Sequence, residues 1–272
     1  MKPDFLIIGA MKCGTTTLFR DLSKHPSIFA PGNKEPEVFL RDVQPRDHAA
    51  DYAALFAGAD ARQLKGEAST AYTKRPDIVD IPDRALALCG PDLKLIYLRR
   101  DPVARIASHY RHALEHGTIT VPFSVALRQH PELIAYTRYD WQLELWHQAF
   151  GREAIMVLEL EDYSANRQKK LAEVLHFLGL SASEMPSIDP EEHANTAGEA
   201  KTIRNPLLRS VIYSNFYQNK IKTLFSDELR AKVRKAILPS PERAELDISS
   251  ADRVFIKESL SSNSPIREEP AV

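Results

Sequence analysis

The strongest constraint on this chain is a short stretch near its start, Gly9-Ala-Met-Lys12-Cys13-Gly14-Thr15-Thr16-Thr17, which directly follows the apolar run Phe5 to Ile8. A strand that ends in a glycine-bearing loop and passes into a helix aims backbone amides and the positive end of the helix dipole at one point. That is the geometry of an anion cradle. It requires a strand flanked by neighbours, and the rest of the sequence supplies them. Apolar runs alternate with helical patterns: Thr15 to Lys24, Leu93 to Leu98, Pro102 to His116, Ile155 to Leu158 and Tyr163 to Leu178, in that order. Strand alternating with helix predicts an α/β protein, a P-loop-like three-layer fold with a central parallel sheet flanked by helices. Further helices are expected over Asp47 to Phe56, Ile81 to Cys89, Phe123 to Arg128 and Tyr139 to Phe150.

The spacing Gly9-xxxx-Gly14 matches a nucleotide-binding loop, but Thr15 stands where that loop carries its lysine. The loop's own lysine, Lys12, comes three residues earlier. A nucleoside triphosphatase needs the later lysine on the β- and γ-phosphates and a ligand set for Mg²⁺. Here hydroxyls replace it and the cation moves to the rim. A Mg²⁺-dependent phosphoryl transferase with an aberrant loop and a catalytically silent nucleotide-binding scaffold remain rivals. So does a plain helix cap by Thr15 or Thr16.

With 36 Lys plus Arg against 37 Asp plus Glu, the formal charge is −1, which argues against a whole surface that attracts nucleic acid or anionic lipid, so any anion site is local. The 272 residues suit a single domain over 1–272, with 181–258 as a helical completion or lid and 259–272 as a mobile tail. Two cysteines, Cys13 and Cys89, exclude a disulfide scaffold. No stretch is long enough for a membrane span, and no cleavable leader is laid out. Cytoplasmic localisation is expected, or a catalytic domain trimmed of an anchor.

A second anion site is expected at Lys94-Leu-Ile-Tyr-Leu-Arg99-Arg100-Asp101-Pro102, a strand ending in two arginines, then an N-cap aspartate and a proline at the first helical position. Val103, Ile106, Ala107, Tyr110 and Leu114 form the buried stripe of the next helix, which leaves Arg105, Ser108, His109, Arg111, His112 and Glu115 on its other faces. Arg100 and Ser108 can then approach one phosphate from two sides, the guanidinium donating paired hydrogen bonds. His109, His112 and His116 share roughly one face. Without a carboxylate or cysteine partner they read as solvated or substrate-side histidines, and no metal is expected.

Three ordered segments together, Lys12-Cys-Gly-Thr-Thr-Thr17, Lys34-Glu-Pro-Glu-Val-Phe39 and Arg100-Asp-Pro-Val-Ala-Arg-Ile-Ala-Ser108-His-Tyr110, resemble the sulfotransferases that use 3′-phosphoadenosine 5′-phosphosulfate (PAPS). The likeness is to the bacterial and heparan-sulfate-type branch and extends through Gly66-Glu-Ala-Ser-Thr-Ala-Tyr72 and Ile155 to Leu180. It implies PAPS as co-substrate with no metal required. Lys12, Cys13, Gly14, Thr15, Thr16 and Thr17 would lie at the 5′-phosphosulfate, and Arg100 and Ser108 at the 3′-phosphate. Glu35 matches the base that takes the acceptor's proton, with Glu37 as runner-up, and Lys12 would stabilise the leaving oxygen. Where the heparan-sulfate enzymes carry a lysine this chain has Ala68, so one cationic contact near the sulfate is expected to be missing, with Lys65 and Lys74 as candidates to compensate.

The expected acceptor is a small molecule or glycan that offers a hydroxyl or, less favoured, an amine. Glu37, Tyr72, His109 and Tyr139 are candidate contacts. His25, Arg41, His112, Tyr136, Trp141 and Trp146 are further polar and aromatic residues for the groove, although Trp141, Leu145 and Trp146 read better as a buried helix face. The basic run Lys201, Arg204, Arg209, Lys220 and Lys222 reads as a solvated face in preference to a cover over the nucleotide.

Overall fold

The computed structural model describes residues 1–188 and 246–262. In chain order the first half runs β1 (Phe5–Gly9), α1 (Thr15–Leu22), β2 (Ile28–Phe29), α2 (Pro45–Leu55), β3 (Leu64–Glu67), α3 (Ile81–Cys89), β4 (Lys94–Arg99) and α4 (Pro102–His116). It continues through α5 (Phe123–Gln129), α6 (Glu132–Ala135), α7 (Tyr139–Phe150), β5 (Ile155–Glu159), α8 (Leu160–Ala165) and α9 (Arg167–Phe177), and the last described helix is α10 (Ser250–Ser261). The five strands lie in the order β2-β3-β1-β4-β5, all parallel. This is the expected α/β sheet flanked by helices.

β1 is central, and Phe5, Leu6, Ile7 and Ile8 have no exposed surface, as a strand covered on both faces requires. From β1 the chain builds β2 and β3 on one side, then crosses to build β4 and β5 on the other. The carboxyl end of β1 is therefore the point at which strand order reverses, where open α/β sheets leave a ligand crevice. The loop after Gly9 sits there. β3 passes so close to β1 that a Cβ on Gly66 would lie 2.1 Å from the Phe5 ring.

On one face α1 and α9 are joined by a buried ionic cluster. Arg167 donates from Nε to Asp21 Oδ2 (2.8 Å) and from Nη2 to Oδ1 (2.6 Å), and the Tyr163 hydroxyl donates to Oδ2. A smaller apolar cluster, separate from the sheet core, combines Ile106, Tyr110, Ile119, Phe123, Leu127, Leu133 and Ile134 with Ile256 of α10.

Most expected helices appear at their expected places. The exception is Tyr163 to Leu178, which divides into α8 and α9 because Asn166 leaves helical geometry (φ −125°, ψ 39°). Ser259 to Ser262, read from sequence as the start of a mobile tail, close α10 and accept hydrogen bonds from Arg138 Nη2 at the carbonyls of Ser259 (2.8 Å) and Ser262 (2.5 Å). The basic run over 201–222 and the rest of the tail lie outside the described residues. Among the described residues no helix is long and apolar enough to cross a membrane.

Candidate functional site

The loop from Gly9 to Gly14 is shaped by its backbone. A Cβ on Gly9 (φ +154°) would fall 2.1 Å from Thr73 Oγ1 and 2.9 Å from the Tyr97 ring, and one on Gly14 (φ +83°) would fall 2.4 Å from Leu160 Cδ1. Lys12 takes a left-handed conformation (φ 69°), uncommon for a residue with a side chain. Gly14 is the N-cap of α1 and no side chain caps that helix, so its first-turn amides can serve an anion.

Beneath the loop lies Arg105, fully buried. Its Nε donates to the Met11 carbonyl (3.2 Å), and its Nη1 donates to the Leu133 carbonyl (3.1 Å) and Thr137 Oγ1 (2.9 Å). Desolvation lowers its pKa from the ordinary arginine value. The sequence placed Arg105 merely off the buried stripe. The structure makes it the strut that fixes the loop backbone one residue before Lys12. Lys12 is half-buried; burial depresses its pKa, with Glu115 and Glu35 opposing the depression and Arg100 and Arg105 adding to it. Cys13 is buried, with its thiol pushed up to about 11 by desolvation, so it serves as packing.

The segment Lys34 to Glu37 reaches this loop from the β3 side. Lys34 Nζ donates to Thr15 Oγ1 (3.3 Å) and to Glu35 Oε1 (2.5 Å), while Thr70 Oγ1 donates to Glu35 Oε2 (2.9 Å). Burial works to raise the pKa of Glu35, but Lys34 and Thr70 outweigh it and hold the carboxyl below its usual range. Glu35 is therefore ionised at neutral pH and can accept a proton. Lys34 is the site residue that sequence reasoning missed, although it adjoins Glu35. Ala68 is fully buried. Lys65 does not replace a lysine there, because it pairs with Asp4 (3.1 Å) ahead of β1, at the amino end of the strands. Lys34 instead brings the second cation to the threonine loop.

Fully buried Glu67 anchors this segment. Tyr52 OH (3.1 Å) and Ser69 Oγ (2.7 Å) donate to its carboxylate, Ser69 Oγ accepts from the Glu37 amide (3.0 Å), and the Ala68 amide donates to the Lys34 carbonyl (3.1 Å). Glu37 adopts φ 53° at this tie. Burial raises the pKa of Glu67 from 4.5 to about 7. The native state thus holds a proton that the unfolded chain gives up, so stability should fall as pH rises from about 4.5 to about 7. The full contribution is on the order of 3 kcal/mol. In denaturant titrations across that window, Glu67→Gln should show a shallower decline than the parent; an identical pH profile would contradict the assignment.

The residues expected at the second anion site lie at the end of β4 and on α4. Asp101 caps α4, accepting from the Ala104 amide (2.8 Å). Arg100 Nε is buried without a hydrogen-bond partner among the described residues, with Glu161 Oε1 3.8 Å away. A buried donor without a hydrogen bond suits an arriving anion. Ser108 is half-buried on α4, two turns on. The Tyr139 hydroxyl donates to the Arg100 carbonyl (2.9 Å) and accepts from its amide (3.4 Å).

Several candidate acceptor contacts take other roles. Tyr139 supports Arg100 and Cys13. Tyr72 is buried, and its hydroxyl accepts from the Phe39 amide (3.3 Å). His109 is buried against the Tyr136 ring, and burial beside Arg105 pushes its pKa down to about 3. His25 donates to the Ser181 carbonyl (3.1 Å) past the far end of α1. Trp146 is core, whereas Trp141 lies half-buried under the Arg75 guanidinium. Burial and the charge of Lys12 push the pKa of His112 down to about 4.

The family model for the sulfotransferase domain matches residues 2–205. The chain belongs to the sulfotransferase family. Among curated relatives, carbohydrate sulfotransferase 15 of Rattus norvegicus is 24% identical over 276 residues, covering 77% of this chain and 48% of that protein. Heparan sulfate glucosamine 3-O-sulfotransferase 6 of Mus musculus is 27% identical over 187 residues, covering 65% and 52%. The chain thus spans about half the length of the curated relatives it matches. A solved sulfotransferase from Alicyclobacillus acidocaldarius superposes with TM-score 0.60 at 29% identity, covering 72% of this chain and 88% of that one. The sulfotransferase domain of the curacin biosynthetic pathway shares the fold at TM-score 0.51 and 18% identity, covering 97% and 99%. Membership of this family does not favour the reading of the loop as that of a phosphoryl transferase.

Proposed function

We propose that this sulfotransferase moves the sulfuryl group of PAPS to an acceptor hydroxyl by in-line attack. The observation that carries the reading is the convergence at the carboxyl end of β1: Lys12, Lys34 and ionised Glu35 flank the threonine loop, while Arg100 offers a buried donor without a hydrogen bond a short way along the same sheet edge. The loop amides and Thr15 to Thr17 hold the 5′-phosphosulfate, and Arg100 with Ser108 holds the 3′-phosphate. Glu35 takes the acceptor's proton as its oxygen bonds to sulfur. The bond from sulfur to the bridging oxygen breaks, and 3′-phosphoadenosine 5′-phosphate leaves with the electron pair.

Lys12 neutralises the charge that grows on that oxygen, an interaction stronger in the transition state than before it. Holding donor and acceptor together makes the encounter effectively unimolecular. A carbohydrate or small hydroxylated acceptor is supported by relatives whose names specify carbohydrate and heparan sulfate substrates.

Calorimetric titration separates this from phosphoryl transfer. The chain should bind 3′-phosphoadenosine 5′-phosphate in EDTA at least tenfold (about 1.4 kcal/mol) more tightly than ATP with Mg²⁺. Tighter, metal-dependent ATP binding would overturn the proposal.

A further inference from the structure

The sequence offered no fitting carboxylate partner for the three histidines of α4. In the structure Glu115 supplies one: one ligand atom from each of His112, Glu115 and His116 lies within 4.8 Å of the others. The residues are spaced i, i+3 and i+4, so all three rise from one face of the last turns of α4. His109 is not among them, since its ring stacks on Tyr136.

A second observation concerns ring orientation. His116 Nδ1 lies 2.8 Å from the His112 carbonyl. A carbonyl can only accept, so Nδ1 carries the proton and the lone pair of the neutral ring is on Nε2. A backbone carbonyl fixing the tautomer and orientation of a ligating histidine is the usual outer support of a metal-bound imidazole. The rings of His112 and His116 are already adjacent, with centroids 4.1 Å apart.

We infer that His112, Glu115 and His116 form a binding site for a Zn²⁺-class ion. Two imidazole nitrogens and one carboxylate oxygen are the donors that zinc accepts, whereas Mg²⁺ and Ca²⁺ require oxygen. Three protein ligands on an exposed helix end leave a coordination position for water or another oxygen ligand. Glu115 also stands in the field of Lys12, so an ion held here is adjacent to the donor loop. Binding of the ion is tested without the transfer reaction.

The experiment is calorimetric titration of the full, tag-free chain with Zn²⁺ against a competing chelator. One equivalent should bind saturably, and His116→Ala and Glu115→Gln should each weaken binding by more than about tenfold. His116 is exposed and Glu115 half-buried, so both variants should keep the parent's melting temperature. The absence of a saturable equivalent in the parent, or unchanged affinity in the two variants, would overturn the inference.

Discussion

Replacing Glu35 with glutamine is expected to lower turnover by about two to four orders of magnitude, the usual range for a positioned general base. The change preserves size and the acceptor for Thr70 and removes the negative charge that takes the proton. Lys34, which donates to Glu35 and to Thr15, would lose its carboxylate partner but keep the threonine. Affinity for 3′-phosphoadenosine 5′-phosphate, read by calorimetry, should therefore stay within about twofold of the parent while turnover collapses. In the companion variant Glu37→Gln, the tie from the Glu37 amide to Ser69 persists because it is a backbone contact, and turnover should fall far less. Initial rates with any acceptor found in a labelled-donor screen decide the matter. Near-normal turnover in Glu35→Gln would remove Glu35 as the base, and the opposite ranking of the two variants would transfer that role to Glu37.

The second large effect concerns stability and lies away from the chemistry. Asp21 is fully buried, with Arg167 only 9% exposed beside it, and the aspartate accepts a two-pronged guanidinium contact and the Tyr163 hydroxyl. The hydrogen bonds to Asp21, working against burial, raise the pKa of Arg167, so the guanidinium stays charged. Asp21→Ala leaves that charge and a hydroxyl without their carboxylate in the interior, which costs about 3–5 kcal/mol. Denaturant unfolding should show a lower midpoint with an unchanged slope. Asp21→Asn, which keeps an acceptor oxygen, should fall between. A loss below about 1 kcal/mol for the alanine variant would mean that the cluster relaxes or admits water.

Legibility from sequence followed the strength of the local signal. β1, β4 and β5 are apolar runs and α4 is bounded by an N-cap aspartate, a proline and Gly117, so their positions were readable to within a residue or two. β3, Leu64-Lys-Gly-Glu67, carries no apolar run, because its glycine yields room to Phe5 and its buried glutamate anchors a loop. Pairing with β2 and β1 reveals it as a strand. At the site, the glycines, Lys12 and Arg100 were legible because strand–loop–helix motifs fix them locally. Lys34, Arg105 and Glu67 act through partners far along the chain, Thr15, Met11 and Tyr52, which no short window contains. Tyr72 and Tyr139 illustrate the converse. Their type suggested an acceptor wall, whereas their hydroxyls hold backbone in place.

The docking of α10 separates two boundaries that would otherwise be treated as one. The family match stops at residue 205, yet Ile256 is 1% exposed in the cluster with Ile106, Phe123 and Leu133. Asp252 receives the Ser124 hydroxyl (2.8 Å) there, and Arg128 covers Phe255 at 4.7 Å. An expression fragment cut at the edge of the matched region would retain every residue proposed for the donor site and still uncover apolar surface on α4, the helix that carries Ser108 and the Arg105 strut. For crystallography or engineering, the unit to produce therefore includes α10.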